Sequence, residues 1–149
     1  MATSKRKTKP KRTKPKRTAK PKAKTNDFEP QFCAWLERVC KKEKPPSSVI
    51  AYNIGLFEST DGYSAYLIGA DDFSEDESDW ACDETFTPKE RYFSLPSKEF
   101  KGTEWQTVVK TVSRAAKTFL TTPAAKSSFL KKAKAITVGF DDGDLVRVK

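Results

Sequence analysis

The chain has 149 residues, with 29 basic against 20 acidic side chains, a net charge of +9 and no histidine. Lack of histidine excludes Ser-His-Asp and Cys-His nucleophile systems, histidine-containing zinc sites and the usual near-neutral proton shuttle. The six glycines form neither a P-loop nor a GxGxxG pattern, and the three cysteines lack CxxC spacing, so nucleotide-loop and zinc chemistry have no motif to rest on.

The basic charge is concentrated at one end. Residues 1–25, MATSKRKTKPKRTKPKRTAKPKAKT, hold nine Lys, three Arg, three Pro and no acid or aromatic. They repeat loosely as KPKRT, KPKRT and KPKAK. Such a stretch has too little to bury to offset the entropy of ordering, and its prolines block a helix. A disordered, extended cationic arm is therefore expected, reaching about 75 Å at ~3.1 Å per residue. Its chemistry is phosphate-backbone binding by Lys5, Arg6, Lys7, Lys9, Lys11, Arg12, Lys14, Lys16, Arg17, Lys20, Lys22 and Lys24, without base reading. No aromatic is interleaved to stack on bases, so neither sequence specificity nor single-strand preference is expected of the arm.

Residues 26–149 keep 17 of the basic residues and all 20 acids, net −3. They suffice for a single domain with a real core. No apolar run reaches the ~18–20 residues of a membrane span, and there is no apolar segment of secretory-signal type. Three cysteines, Cys33, Cys40 and Cys82, fit a reducing compartment. The expected location is intracellular: cytoplasmic or nucleoid-associated in a bacterium, nuclear in a eukaryote. Oligomeric state is not set by these residues.

In chain order, Asn26 or Asp27 is placed to cap a helix beginning near Phe28 to Pro30. Phe32, Trp35, Leu36, Val39 and Cys40 fall on one face of it, and Pro45-Pro46 ends it. Cys33 and Cys40 are too far apart along this helix for a disulfide and read as small buried hydrophobes. Val49 to Glu58 and Tyr63 to Gly69 then read as a hairpin closed at Thr60-Asp61-Gly62. Ile50, Tyr52, Ile54 and Leu56 are expected on one face, and Tyr66 and Ile68 together on one face of the returning strand.

Eight acids and no base fall within Asp71 to Glu84. Oxygen ligands suit Mg²⁺ or Ca²⁺, but the spacing fails the twelve-residue calcium loop, so no metal and no cofactor is expected. Two readings stand instead: a solvated acidic loop, or a protein-binding surface made by Asp71, Asp72, Phe73, Glu75, Asp76, Glu77, Asp79 and Trp80, the two aromatics being anchors inside an acidic rim. A loose, salt-screened return of the cationic arm onto this segment is a further expectation.

Arg91 to Leu95 reads as a short strand. Thr103-Glu104-Trp105-Gln106 matches a capping box for a second long helix, whose apolar stripe is Trp105, Val108, Val109, Val112, Ala115, Ala116, Phe119 and Leu120. Thr122-Pro123 starts another short helix running to about Lys134. Ala135 to Phe140 and Leu145 to Val148 form a terminal hairpin around Asp141-Asp142-Gly143-Asp144. The order predicts an α+β two-layer domain, a mostly antiparallel sheet of about five strands with helices on one face.

The arm's KPKRT and KPKAK units resemble the Lys-Pro-Ala-rich tails of linker histones and bacterial histone-like proteins, which implies nucleic-acid attachment. Tyr66-Leu67-Ile68-Gly69, Asp79 to Glu84 and Val138 to Leu145 resemble small uncharacterised bacterial α+β proteins of toxin-immunity type. That resemblance implies a non-catalytic inhibitor of a basic toxin. The residues themselves point to a non-enzymatic binding module tethered to nucleic acid by its arm, with an acidic surface for a protein partner. An enzyme working through carboxylates is the remaining alternative.

Overall fold

A computed structural model describes residues 27–60 and 62–149. The arm at residues 1–25, with its expected nucleic-acid contacts, lies outside the described residues, as do Asn26 and the turn residue Asp61. The elements are α1 (Phe28–Lys42), β1 (Ala51–Ser59), β2 (Gly62–Ala70), a 3-10 turn (Asp79–Cys82), β3 (Tyr92–Ser94), α2 (Ser97–Phe100), α3 (Trp105–Leu120), α4 (Pro123–Lys126), a 3-10 turn (Phe129–Lys132), β4 (Ala135–Phe140) and β5 (Val146–Arg147). No helix among the described residues is long and apolar enough to cross a membrane.

The five strands form one sheet in the order β3-β2-β1-β4-β5. The β1–β2 and β4–β5 hairpins are antiparallel as expected, and β3 adds to β2 through Ala65 and Phe93. The centre differs from a purely antiparallel arrangement: β1 and β4 run parallel, with Ala51 beside Ala135 and Leu56 beside Phe140. The helices between them return the chain to the starting edge of β1, where the Lys134 N–H donates to the Ile50 carbonyl at 2.7 Å. Alternation within a strand carries no information on its direction, so this pairing was invisible in the sequence.

Period two divides the sheet into unlike faces. Tyr52, Ile54, Leu56, Tyr63, Ala65, Leu67, Ile136 and Val138 point toward α1 and α3 and build the main core with Phe32, Trp35, Leu36, Val108, Val112 and Phe119. Stacked against this side, the rings of Phe93 and Trp35 lie 5.5 Å apart. The other face carries mostly small or polar residues, with Phe57, Tyr66 and Ile68 among them, and is crossed by the segment holding the first 3-10 turn rather than by an α-helix. Ala51, Ala70 and Ala135 make a floor there on which Trp80 rests, with Phe73, Ile50 and Leu145 packed around. Ile50 thus joins this second cluster rather than the Tyr52–Leu56 face, because β1 begins only after it. Tyr66 and Ile68 do share one face, the one away from α1 and α3.

Side-chain caps form at two of the helical elements and not at the two long helices. Thr122 caps α4 as read, its Oγ1 accepting from the Ala125 N–H at 3.3 Å with Pro123 in the first turn. Ser128 then caps a separate 3-10 turn through the Leu130 N–H, so the expected helix to Lys134 is divided in two. At α1 the preceding Asp27 makes no side-chain cap bond. The capping box at α3 is not formed: Glu104 is the N-cap residue, and the Thr103 hydroxyl turns back to the Glu99 carbonyl.

Candidate binding surfaces

The sequence-predicted site, Asp71 to Glu84, crosses the outer face of the sheet. Its aromatics are engaged within the domain itself. Trp80 is 4% exposed and is spent on the domain's own alanine floor, with the half-buried Phe73 ring edge-on to it at 5.2 Å. Arg147, on the edge strand β5, lies 5.1 Å over Phe73 and pairs with Glu75 at 2.6 Å. This cation pins the segment from outside while Trp80 pins it from below. Asp71, Asp72, Asp76, Glu77 and Asp79 stay exposed, and none forms an ion pair among the described residues. Asp72 and Ser74 cap backbone N–H groups of the segment itself, which gives it local order without a ligand. No group of three or more metal-ligating side chains converges among the described residues.

Beneath this segment the sheet holds a buried polar pair. Thr137 Oγ1 donates to Asn53 Oδ1 at 2.9 Å across the parallel β1–β4 ladder. Further along the same face, Tyr66 lies flat across Gly55, where a Cβ would come within 2.1 Å of its ring. The Tyr66 hydroxyl donates to Asp141 Oδ1, fastening the β4–β5 turn to the face. Burial first, and then the Asp141 bond, push the phenol's pKa upward, so Tyr66 remains a donor and is no base. The Arg91 guanidinium sits 5.3 Å from both the Tyr66 and Tyr92 rings and pairs with Glu84 at 2.5 Å.

A second surface was missed in the sequence. Trp105, assigned to the buried stripe of α3, is 54% exposed, and Val146 of β5 is 39% exposed. Together with Val109, Phe140 and Gly143 they line a groove of about 480 Å³ that also receives Glu58, Asp142 and Asp144. The Trp105 ring stands edge-on to Phe140 at 6.2 Å, and Phe140 edge-on to Tyr63 at 5.7 Å, which holds the groove's apolar wall against the main core. Glu58, Asp142 and Asp144 are exposed and form no ion pair among the described residues. The groove therefore combines an open indole face with three carboxylates that make no ion pair among the described residues, while Lys110, Arg114 and Lys117 line the adjoining cleft beyond Val109 and Val146. It suits a Lys- or Arg-bearing segment, the cation stacking on Trp105 while carboxylates hold its charge. The sequence signal is the acidic turn Asp141-Asp142-Gly143-Asp144, whose residues by themselves read only as a hairpin turn.

Cys33 and Cys40 pack against the main core, and burial raises both pKa values, so they stay protonated thiols. Comparison of the chain with protein-family models, with curated proteins and with solved structures returns no match.

Proposed function

We propose that this protein is a non-catalytic binding module with two charge-opposed parts. The arm attaches it to nucleic acid through the phosphate backbone, and the domain receives a basic segment of a protein partner. The observation that carries the reading is the Trp105 groove, where an exposed indole and Val146 meet Glu58, Asp142 and Asp144. Exposed tryptophan is rare and energetically potent at interfaces, and carboxylates around it select for cationic partners. The acids of Asp71 to Glu84 extend the same sign of potential over the outer face and steer such a partner without anchoring it. A basic toxin is one partner of this chemistry, which keeps the immunity-type reading within the same surface.

The non-catalytic assignment is supported by the residues present. There is no histidine in the chain, and two of the three thiols are shifted away from reactivity. The tether is tested by duplex DNA binding across a salt series. If about eight arm cations each neutralise a phosphate, log affinity falls with log salt at a slope near −7. Replacing the arm's Lys and Arg by Gln should flatten that slope; a wild-type slope near zero, or one unchanged by the replacement, contradicts the tether. For the groove, Trp105→Ala should weaken capture of a basic peptide at least about tenfold, as an interface hot spot does. Equal capture by both proteins contradicts it.

A further inference from the structure

The groove has a ligand of matching chemistry in its own chain. We infer that the Lys/Arg-Pro arm, residues 1–25, occupies the Trp105 groove when no polyanion is bound, and that polyanion binding to the arm opens the groove. This rests on the groove being a site for basic segments.

Three observations support it. The first is charge: the arm has twelve cations and no acid, opposite in sign to Glu58, Asp142 and Asp144, which have no ion-pair partner among the described residues. The second is where the arm leaves the domain. The Phe28 ring, two residues beyond Asn26, lies 4.9 Å from Phe100. Trp105 follows Phe100 by five residues, at most about 18 Å of chain at the ~3.6 Å per-residue limit. Beside this exit Glu99 Oε2 is buried with no hydrogen-bond partner among the described residues, and Glu104 is exposed on the way to Trp105; Lys98 and Lys101 lie nearby. The third is length. In extended form the arm reaches about 75 Å, several times the distance to the groove.

Tethering makes a weak contact sufficient. A short flexible linkage presents its end at roughly millimolar effective concentration, so contacts too weak to hold a free peptide are populated in cis. The same weakness makes the contact switchable. Phosphates compete for the same cations, and release of their counterions favours the polyanion. The partner site and the tether are then coupled: attachment to nucleic acid frees the groove for a protein.

Acrylamide quenching of tryptophan emission in the full chain tests this, because Trp35 and Trp80 are buried and Trp105 alone is open. A neutral quencher reports cover rather than charge. At low salt, quenching should be about twofold weaker than at high salt, where screening shortens to a few ångström. Inorganic polyphosphate at low salt should restore the high-salt value, and a chain with the arm's Lys and Arg changed to Gln should show it throughout. Trp105→Phe should remove the salt-dependent part and so locate the signal. Salt-independent quenching in the wild type overturns the inference. If a free peptide of residues 5–24 still protects Trp105 in that Gln-arm chain, the groove reading survives and only the intramolecular arm fails. If the peptide does not protect either, both fall. Protection that scales with protein concentration assigns the arm to a second copy and overturns the contact in cis.

Discussion

Trp80 and Trp105 both stand beside carboxylates, yet the first is 4% exposed and the second 54%. Trp80 lies in the chain's densest acidic run, but it sits over Ala51, Ala70 and Ala135, and those small floors leave room for an indole. Trp105 opens α3 beyond the end of the core, and its only aromatic neighbour among the described residues is Phe140. Acid-rich sequence around an aromatic therefore does not by itself mark a binding surface. What lies beneath the ring decides.

The largest expected effect tests that contrast through stability. Trp80→Ala should cost about 3–5 kcal/mol, as large buried aromatics do. Trp105→Ala should stay within about 0.5 kcal/mol, the range of surface substitutions. Chemical denaturation of the two variants measures both, and comparable losses would erase the distinction.

Two further changes separate the acidic corners. Gly55→Ala drives a Cβ into the Tyr66 ring, which Asp141 and Arg91 hold in place. Overpacking of this kind costs about 1–3 kcal/mol, and most of it should vanish when Tyr66→Ala is made in the same chain. Amide exchange in the 141–144 turn should rise with Gly55→Ala while residues 71–80 are unaffected. Thr137→Val is the converse. It leaves the buried Asn53 Oδ1 without its donor, at about 1–3 kcal/mol, and should loosen Asp71 to Glu84 rather than the turn. The smallest effect is a control remote from both corners: Thr122→Ala removes the α4 cap for about 1 kcal/mol and should leave exchange in both acidic segments unchanged.

Much of the architecture was legible. The spacing of Phe32, Trp35, Leu36 and Val39 marks the buried face of α1, and Thr122-Pro123 gives a cap whose bond is present. The β1–β2 hairpin follows from β-rich runs flanking a two-residue loop before Gly62, whose φ of +140° few other residues adopt. What failed has a common cause. Periodicity gives a residue's angle about a helix but not its height, so Trp105 falls on the apolar stripe of α3 while standing above the core. Likewise the alternation of β4 fixes its faces but not its direction. Composition reports that Asp71 to Glu84 is acidic, but the floor that buries Trp80 is assembled from the β1–β2 hairpin and the distant strand β4.

The most direct measurement compares the two corners as ligands for one cation-rich peptide. The full-length chain with the arm's Lys and Arg changed to Gln, which leaves the groove open, is titrated with an oligolysine at low salt and followed by tryptophan emission. Three proteins of this background are compared: the intact domain, a groove variant (Glu58→Gln, Asp142→Asn, Asp144→Asn) and a segment variant (Asp76→Asn, Glu77→Gln, Asp79→Asn). Binding that persists in the segment variant and drops at least about tenfold in the groove variant is the predicted result. The reverse pattern, or equal loss in both, would contradict the assignment of the partner site to Trp105.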